Sequence, residues 1–453
     1  MSIAFGTDGW RDTVEAFTPA RVRRLGGAVA GYLEAEAIAG PVVVGMDPRE
    51  SSPTIAAGLT AVLAEAGRAV IRPDRDCPTP IVAYTVVDRG AAGALMVTAS
   101  HNPPAYNGIK FIPADGAPAT EAVTDAITAR LGAPGPTGAE AAVETIDPHP
   151  AYRRHLDALL PGRLEGLEIV YDAMHGAGRG VTDALLRDRG AAVTTIRGDR
   201  DPGFGGQAPE PTPAHLGPLI ERVRSQGADL GIANDGDADR VAVVTPDRGV
   251  LSAHLLFAAV YAARVADQPG PVVRTVSTST LIDAIAADHD AAVVEVPVGF
   301  KWVAAAMQTH DAVMGGEESG GFTVAGHLRE KDGVMMALLL AQLAQAEPLD
   351  ARIDRIEATY GTVHTGLRSI EVPAPPTAAV VDACDGQVAG VPVARVDRTD
   401  GVKLWLEGGA WMLVRGKLGQ YGTFIGRSLT TGITTTSPES ELIWPPAREG
   451  TDE

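Results

Sequence analysis

The stretch "PVVVGMDPRESSPTIAAGLTAVLAEAG" (residues 41–67) decides the fold. Its first part is a β-branched apolar run ending in Asp47. Pro48 marks a turn, and from Pro53 onward the apolar spacing is that of a helix. The same succession recurs. "GALMVT" (93–98), "LEIVYDAMHG" (167–176), "ADLGIAN" (228–234), "PVVRTVST" (271–278) and "AAVVEVPV" (291–298) are further strand-like runs, most of them leading into a helical pattern. Strands alternating with helices imply βαβ units and largely parallel sheets. The pattern repeats three times at roughly hundred-residue spacing. It then gives way to short β-like runs, "GVKLWLE" (401–407) and "AWMLVR" (410–415). We therefore expect an α/β protein with three similar units, residues 1–146, 147–250 and 251–364, and a different C-terminal domain, residues 365–453. The Pro/Gly-rich stretches 131–137, 202–213 and 372–377 are candidate linkers or long loops.

The bulk numbers narrow the partners. The 453 residues carry 57 acidic against 38 basic side chains, a net charge of −19. That argues against nucleic acid, which needs clustered Lys and Arg. The longest apolar stretch, "GVMMALLLAQLA" (333–344), is too short to cross a bilayer, so no membrane association is expected. The first residues show no basic and apolar leader. Two cysteines, Cys77 and Cys384, give neither a disulfide framework nor a metal spacing, and a cytoplasmic setting is expected.

Three loops carry chemistry-bearing residues. In "NDGDADR" (234–240), Asp235, Asp237 and Asp239 alternate directly after a strand. Converging carboxylates repel unless a hard cation neutralises them, and oxygen ligands suit Mg²⁺ or Ca²⁺. An EF-hand is excluded, because its sixth and twelfth positions fall on Arg240 and Pro246. A solvated acidic turn is the competing reading. "TASHNP" (98–103) offers Ser100 as a nucleophile beside His101, with Lys110 further on, although Ser, Asn and Pro also make ordinary turns. No G-x-S-x-G elbow surrounds it, which counts against a serine hydrolase. "GGEESGG" (315–321) offers Glu317, Glu318 and Ser319 between glycines, as a hydroxyl-binding loop or as an exposed acidic one. "HGAGRG" (175–180) is a tight turn, since the third glycine of a dinucleotide fingerprint falls on Val181. A hydroxyl loop, a metal loop and a polyol-binding loop together suit phosphoryl transfer between a serine and a sugar hydroxyl.

With "GTDGWR" (6–11) and "PVGFKW" (297–302) added to "TASHNPPAYNGIK", "DGDADR" and "GGEESGG", the chain resembles the α-D-phosphohexomutase superfamily, the phosphoglucomutase/phosphomannomutase group, over residues 1 to 415. The resemblance implies four domains around a central cleft: three similar α/β units with mixed, mostly parallel sheets, and a smaller α+β C-terminal domain. It implies that Ser100 is phosphorylated and, with Asp235, Asp237 and Asp239, holds Mg²⁺. Arg240 and Arg11 would then line the phosphoserine site, and His101 and Lys110 would serve proton transfer. Glu317 and Ser319 would grip the sugar, with Lys301 helping to place it. A hexose 1-phosphate and a hexose 6-phosphate would interconvert, with hexose 1,6-bisphosphate as intermediate and activator, in a monomer or dimer.

The likeness weakens near the C-terminus. Arg415 matches the arginine that precedes the family's remote-phosphate loop, but Lys417 and Gly419 stand where the family has serine and threonine donors. Lys417, or Arg427 with Ser428, is the candidate substitute. "EES" and "GFKW" resemble the glucose branch more than the phosphoglucosamine branch, so glucose phosphate is the expected substrate, with mannose phosphate second. A sugar-phosphate-binding protein with impaired turnover and a phosphoserine-dependent phosphatase are the alternatives.

Overall fold

Each strand-like run singled out above forms a strand. In the computed structural model, which describes Ile3 and residues 9–370, 386–416 and 422–429, these strands assemble into four sheets. The first contains β1 (Trp10–Thr13), β2 (Val42–Met46), β3 (Val70–Pro73), β4 (Gly93–Val97), β5 (Tyr106–Pro113) and β6 (Val143–Ile146), in the order β1-β5-β4-β2-β3-β6. The second contains β7 (Glu168–Asp172), β8 (Ala192–Ile196), β9 (Leu230–Asn234), β10 (Val241–Thr245) and β11 (Gly249–Val250), in the order β11-β10-β9-β7-β8. The third contains β12 (Val272–Thr275), β13 (Val293–Val296), β14 (Met314–Gly316) and β15 (Phe322–Val324), in the order β13-β12-β14-β15.

One four-strand core runs through all three. A first strand lies between a second and a third, all parallel, and an antiparallel fourth returns beside the third. The expected similarity of the three units thus has a concrete form. The turn from third strand to return strand is also the same slot in each unit: 98–105, 235–240 and 317–321. These are the three chemistry-bearing loops, all at carboxyl ends of parallel strands, where open α/β sheets bind ligands.

The strands are apolar without alternation because helices cover the sheets. Leu25 and Leu33 of the helix Pro19–Ala35, and Leu59 and Leu63 of the helix Ser52–Glu65, form one buried cluster with Val42, Val44, Leu95 and Val97. Each leucine there contributes about 2 kcal/mol. The apolar stretch at 333–344 is a buried helix, Gly333–Ala346, whose N-cap Asp332 accepts the Met335 amide at 2.7 Å. Among the described residues no helix is long and apolar enough to cross a membrane.

The stretch 202–213 is the long loop of the two readings, not a linker. Phe204 within it is 2% exposed, and Pro209 accepts the Gly236 amide at 3.1 Å. The stretch 372–377 lies outside the described residues.

Two compact units divide the chain, Met1–Ile356 and Glu357–Glu453. The second is an antiparallel sheet of β16 (Val363–Ile370), β17 (Gln387–Val388), β18 (Val391–Asp397), β19 (Val402–Leu406), β20 (Trp411–Gly416) and β21 (Gly422–Leu429), in the order β16-β21-β20-β19-β18-β17. The described residues past Tyr360 supply the β part of the expected α+β domain.

Candidate active site

The serine loop is bound from all sides. Ser100 is 1% exposed and has φ +50°, a left-handed conformation that costs a non-glycine residue about 1 kcal/mol. Its amide donates to Thr98 Oγ1 at 2.8 Å, and its carbonyl accepts Arg49 Nη2 at 2.7 Å. Its hydroxyl donates to Asp235 Oδ2 at 2.7 Å and lies 3.2 Å from His101 Nδ1. On the far side of that ring, Nε2 is 4.0 Å from Glu210 Oε1. Arg11 Nη1 donates to Asn102 Oδ1 in the same loop, at 3.2 Å.

The acidic loop meets this one head on. Gly236 lies so close that a Cβ there would sit 2.5 Å from the Ser100 carbonyl oxygen, which explains why the aspartates are spaced by a glycine. Asp235, Asp237 and Asp239 are fully buried, with carboxylate oxygens within 4.8 Å of one another. Burial, and then the charges of Asp239 and Asp237, push the Asp235 carboxyl well above the usual range, against the pull of Arg240. Burial works against the Arg240 charge, yet Asp235 and Asp239 hold its guanidinium above its ordinary value. The Arg240 amide donates to Asp235 Oδ1 at 3.1 Å. Lys110 Nζ reaches Asp237 and Asp239 at 3.1 and 3.0 Å, Lys331 Nζ lies 3.1 Å from Asp239, and Thr79 Oγ1 donates to Asp237 at 2.7 Å. Asp237 Oδ1 stays buried without a hydrogen-bond partner.

These residues fit a divalent cation. Three carboxylates face three cations: Lys110, Lys331 and Arg240. A phosphoryl group on Ser100 would add about two negative charges, which Mg²⁺ would offset. The donor set is all oxygen, and the unpartnered Asp237 Oδ1 is an open ligand atom. Asp235, Asp237, Asp239 and the group on Ser100 would hold the ion.

The loop 317–321 joins the acidic loop through the backbone, since the Val241 amide donates to the Gly320 carbonyl at 3.2 Å. Glu317 accepts the Gly299 amide at 3.0 Å; burial lifts it from 4.5 to about 7, with Lys331 pulling it down and Glu318 pushing it up. Ser319 is half-buried in the same turn. Glu318 accepts hydroxyls from Thr275 at 3.1 Å and from Ser277. Lys301, expected to help place the sugar, pairs with Glu121 of the first α/β unit at 2.8 Å.

Arg415 belongs to the C-terminal unit, where its Nε donates to Asp400 Oδ1 at 2.8 Å. Lys417 and Gly419 lie outside the described residues. Arg427, the candidate substitute, sits opposite Trp411 in the ladder, while Arg415 sits opposite Thr423. Four residues of strand, about 13 Å, separate the two levels.

Sequence reading missed Arg49, Asp47, Thr79, Glu210 and Lys331. Only the first two carried a signal: an acid and a base two residues apart at a strand end, in "MDPR".

Comparison with known proteins agrees with this layout. Residues 2–135, 151–249 and 253–360 match phosphoglucomutase/phosphomannomutase alpha/beta/alpha domains I, II and III, respectively. A phosphoglucosamine mutase of Synechococcus sp. (strain RCC307) is 34% identical over 410 residues, covering 88% of this chain and 87% of its own. One from Clavibacter sepedonicus is 33% identical over 385 residues, covering 82% and 85%. The crystal structure of a Thermus thermophilus protein described as a phosphomannomutase has a TM-score of 0.84 and 33% identity, over 95% of this chain and 96% of that one. An N-acetylphosphoglucosamine mutase of Aspergillus fumigatus, solved with GlcNAc-6P and magnesium, shares the fold at a TM-score of 0.60 and 14% identity, over 95% and 93%.

Proposed function

The chain belongs to the phosphoglucomutase/phosphomannomutase family of sugar-phosphate mutases, and from that premise we propose that it interconverts glucosamine 6-phosphate and glucosamine 1-phosphate, with Ser100 as the phosphoryl carrier. The observation that carries the proposal is the Ser100 hydroxyl bonded at 2.7 Å to Asp235, inside a buried carboxylate triad that retains an open ligand atom.

In the forward step the bond from Ser100 Oγ to phosphorus breaks and a bond from a sugar oxygen to phosphorus forms. The sugar hydroxyl gives up its proton to a protein base, and the seryl oxygen takes one. His101, 3.2 Å from that oxygen, suits the second transfer. Lys110, tied to Asp237 and Asp239, balances charge. The bisphosphate then returns its other phosphoryl group to Ser100, and a trace of hexose 1,6-bisphosphate primes the unphosphorylated enzyme. When bound, Mg²⁺ supplies charge neutralisation at the moving group. Glu317 and Ser319 hold the ring hydroxyls.

The names of the relatives favour glucosamine over the glucose phosphate that "EES" suggested. One residue behind the glucose expectation, Glu318 of "EES", is engaged by Thr275 and Ser277, so its identity speaks of loop support more than of the sugar.

The test is ³¹P NMR of the protein with Mg²⁺, a trace of glucosamine 1,6-bisphosphate and, in parallel, the 6-phosphates of glucosamine, glucose and mannose, beside Ser100→Ala. Isomerisation fastest with glucosamine, and lost in the variant, is expected. Release of inorganic phosphate alone would indicate a phosphatase, and binding without any isomer would indicate a binding protein.

A further inference from the structure

We propose that Arg49 is the positioning residue that holds Ser100 in its strained conformation through the backbone of its loop, without touching the phosphoryl group. The inference rests on Ser100 as the carrier.

Arg49 is 1% exposed, and each of its five guanidinium N–H donors has an acceptor. Nε donates to Asp47 Oδ2 at 2.9 Å. Nη1 donates to the carbonyls of Pro103 at 2.8 Å and Tyr106 at 3.0 Å, and Nη2 to those of Ser100 and Asn102, both at 2.7 Å. Three carbonyls of one loop and that of Tyr106, the first residue of β5, therefore converge on one planar cation. Asp47 extends the grip by accepting the hydroxyls of Ser52 at 2.6 Å and Thr98 at 2.9 Å, and Thr98 Oγ1 in turn receives the Ser100 amide. Both peptide groups flanking the Ser100 Cα are thus fixed, which is what a φ of +50° requires. Phe204, from the second α/β unit, covers the guanidinium with its ring centroid 5.0 Å from Cζ.

Such an arrangement matters for a carrier. The charge on Ser100 changes by about two units each time a phosphoryl group leaves or returns. Groups that contact it must adjust, whereas a clamp on the carbonyl side need not. Lysine cannot replace this clamp, since its three donors do not fan out in a plane.

The test compares Arg49→Lys and Thr98→Val with wild type and Ser100→Ala, reading kcat and KM per folded molecule, melting temperature, and the rate of Ser100 phosphorylation by hexose 1,6-bisphosphate. For Arg49→Lys the expected result is a fall in kcat of about 100-fold with KM within about threefold, and an equally slowed phosphorylation. Thr98→Val keeps its shape, and a fall in kcat of about tenfold is expected. A structural role alone lowers the melting temperature and leaves kcat of the folded fraction unchanged; that result overturns the proposal. If Arg49→Lys does not fold, Thr98→Val decides by the same criterion. An active Ser100→Ala refutes the carrier reading itself, whereas an inactive Ser100→Ala with unimpaired Arg49 and Thr98 variants refutes the Arg49 role alone.

Discussion

The loop after β4 and the loop after β14 leave their sheets at equivalent points, between a parallel strand and its antiparallel return, yet they are held in different ways. The first is gripped by its backbone: a guanidinium takes three of its carbonyls and that of Tyr106 at the start of β5, and Ser100 is kept left-handed. The second is tied by a side chain, Glu318, to the hydroxyls of Thr275 and Ser277. In both cases the support comes from the end of the unit's first strand, β2 or β12, and the residues just beyond it. The acidic loop follows suit, for the Ala177 amide, beyond β7, donates to the Gly236 carbonyl at 2.9 Å. One scaffold therefore offers one slot and one support position three times. The loop with the strained geometry receives a charged, multidentate clamp; the loop proposed to read sugar hydroxyls receives a softer, hydroxyl-based one.

Substitutions sharpen this contrast in descending order of effect. Ser100→Ala removes the carrier, and mutase activity falls by about 1,000-fold or more in a coupled assay. Residual turnover near wild type breaks the comparison, because the strained loop then has no chemical purpose. Asp237→Asn comes next. It takes one charge from the triad, so the Mg²⁺ concentration needed for half-maximal activity rises by about 10–100-fold. The metal-free protein becomes less stable, since buried Lys110 loses a charged acceptor. Calorimetric titration and thermal melts measure the two effects separately.

The sugar loop makes a pH prediction. Glu317 stands at about 7 in the folded chain against 4.5 when unperturbed, so the folded state binds the extra proton. Stability from this group is fully present below about 4.5 and is lost as pH rises through about 7, on the order of 3 kcal/mol in all. The difference in melting temperature between Glu317→Gln and metal-free wild type should therefore grow from pH 4.5 to 8 in the variant's favour. Its kcat/KM falls by about tenfold if Glu317 accepts the sugar hydroxyls as proposed, because the amide is a weaker acceptor. A pH-independent difference contradicts the assignment. Glu318→Gln has the smallest effect. It keeps an acceptor for Thr275 and Ser277, so kcat changes by about threefold or less and the glucosamine-to-glucose preference stays put. A changed preference makes Glu318 a reader of the sugar and abolishes the contrast.

Much of this layout is legible in the chain because its signals are local. Asp235, Asp237 and Asp239 alternate over five residues, and Ser100 and His101 follow an apolar run directly. The supports are not legible, because their partners are remote: Arg49 acts 51 residues from Ser100, and Thr79 acts 158 from Asp237. The return strand β5 hides for a related reason. Asn107 and Lys110 interrupt its apolar pattern, yet both are buried, Asn107 on Ser51 and Ser52 and Lys110 on the triad. The stretch 202–213, expected as a linker or a long loop, is the loop, and its single aromatic, Phe204, gives no sign in sequence that it covers Arg49. The glucose expectation leaned partly on Glu318, and sequence gives no sign that this side chain is taken up by Thr275 and Ser277.

The most direct measurement is intact-protein mass spectrometry after incubation with hexose 1,6-bisphosphate and Mg²⁺, followed by addition of glucosamine 6-phosphate. The account predicts a gain of one phosphoryl group, mapped to Ser100 and absent in Ser100→Ala, that is discharged to the sugar phosphate. A chain that stays unmodified while isomerising the sugar, or one modified at another residue, contradicts it.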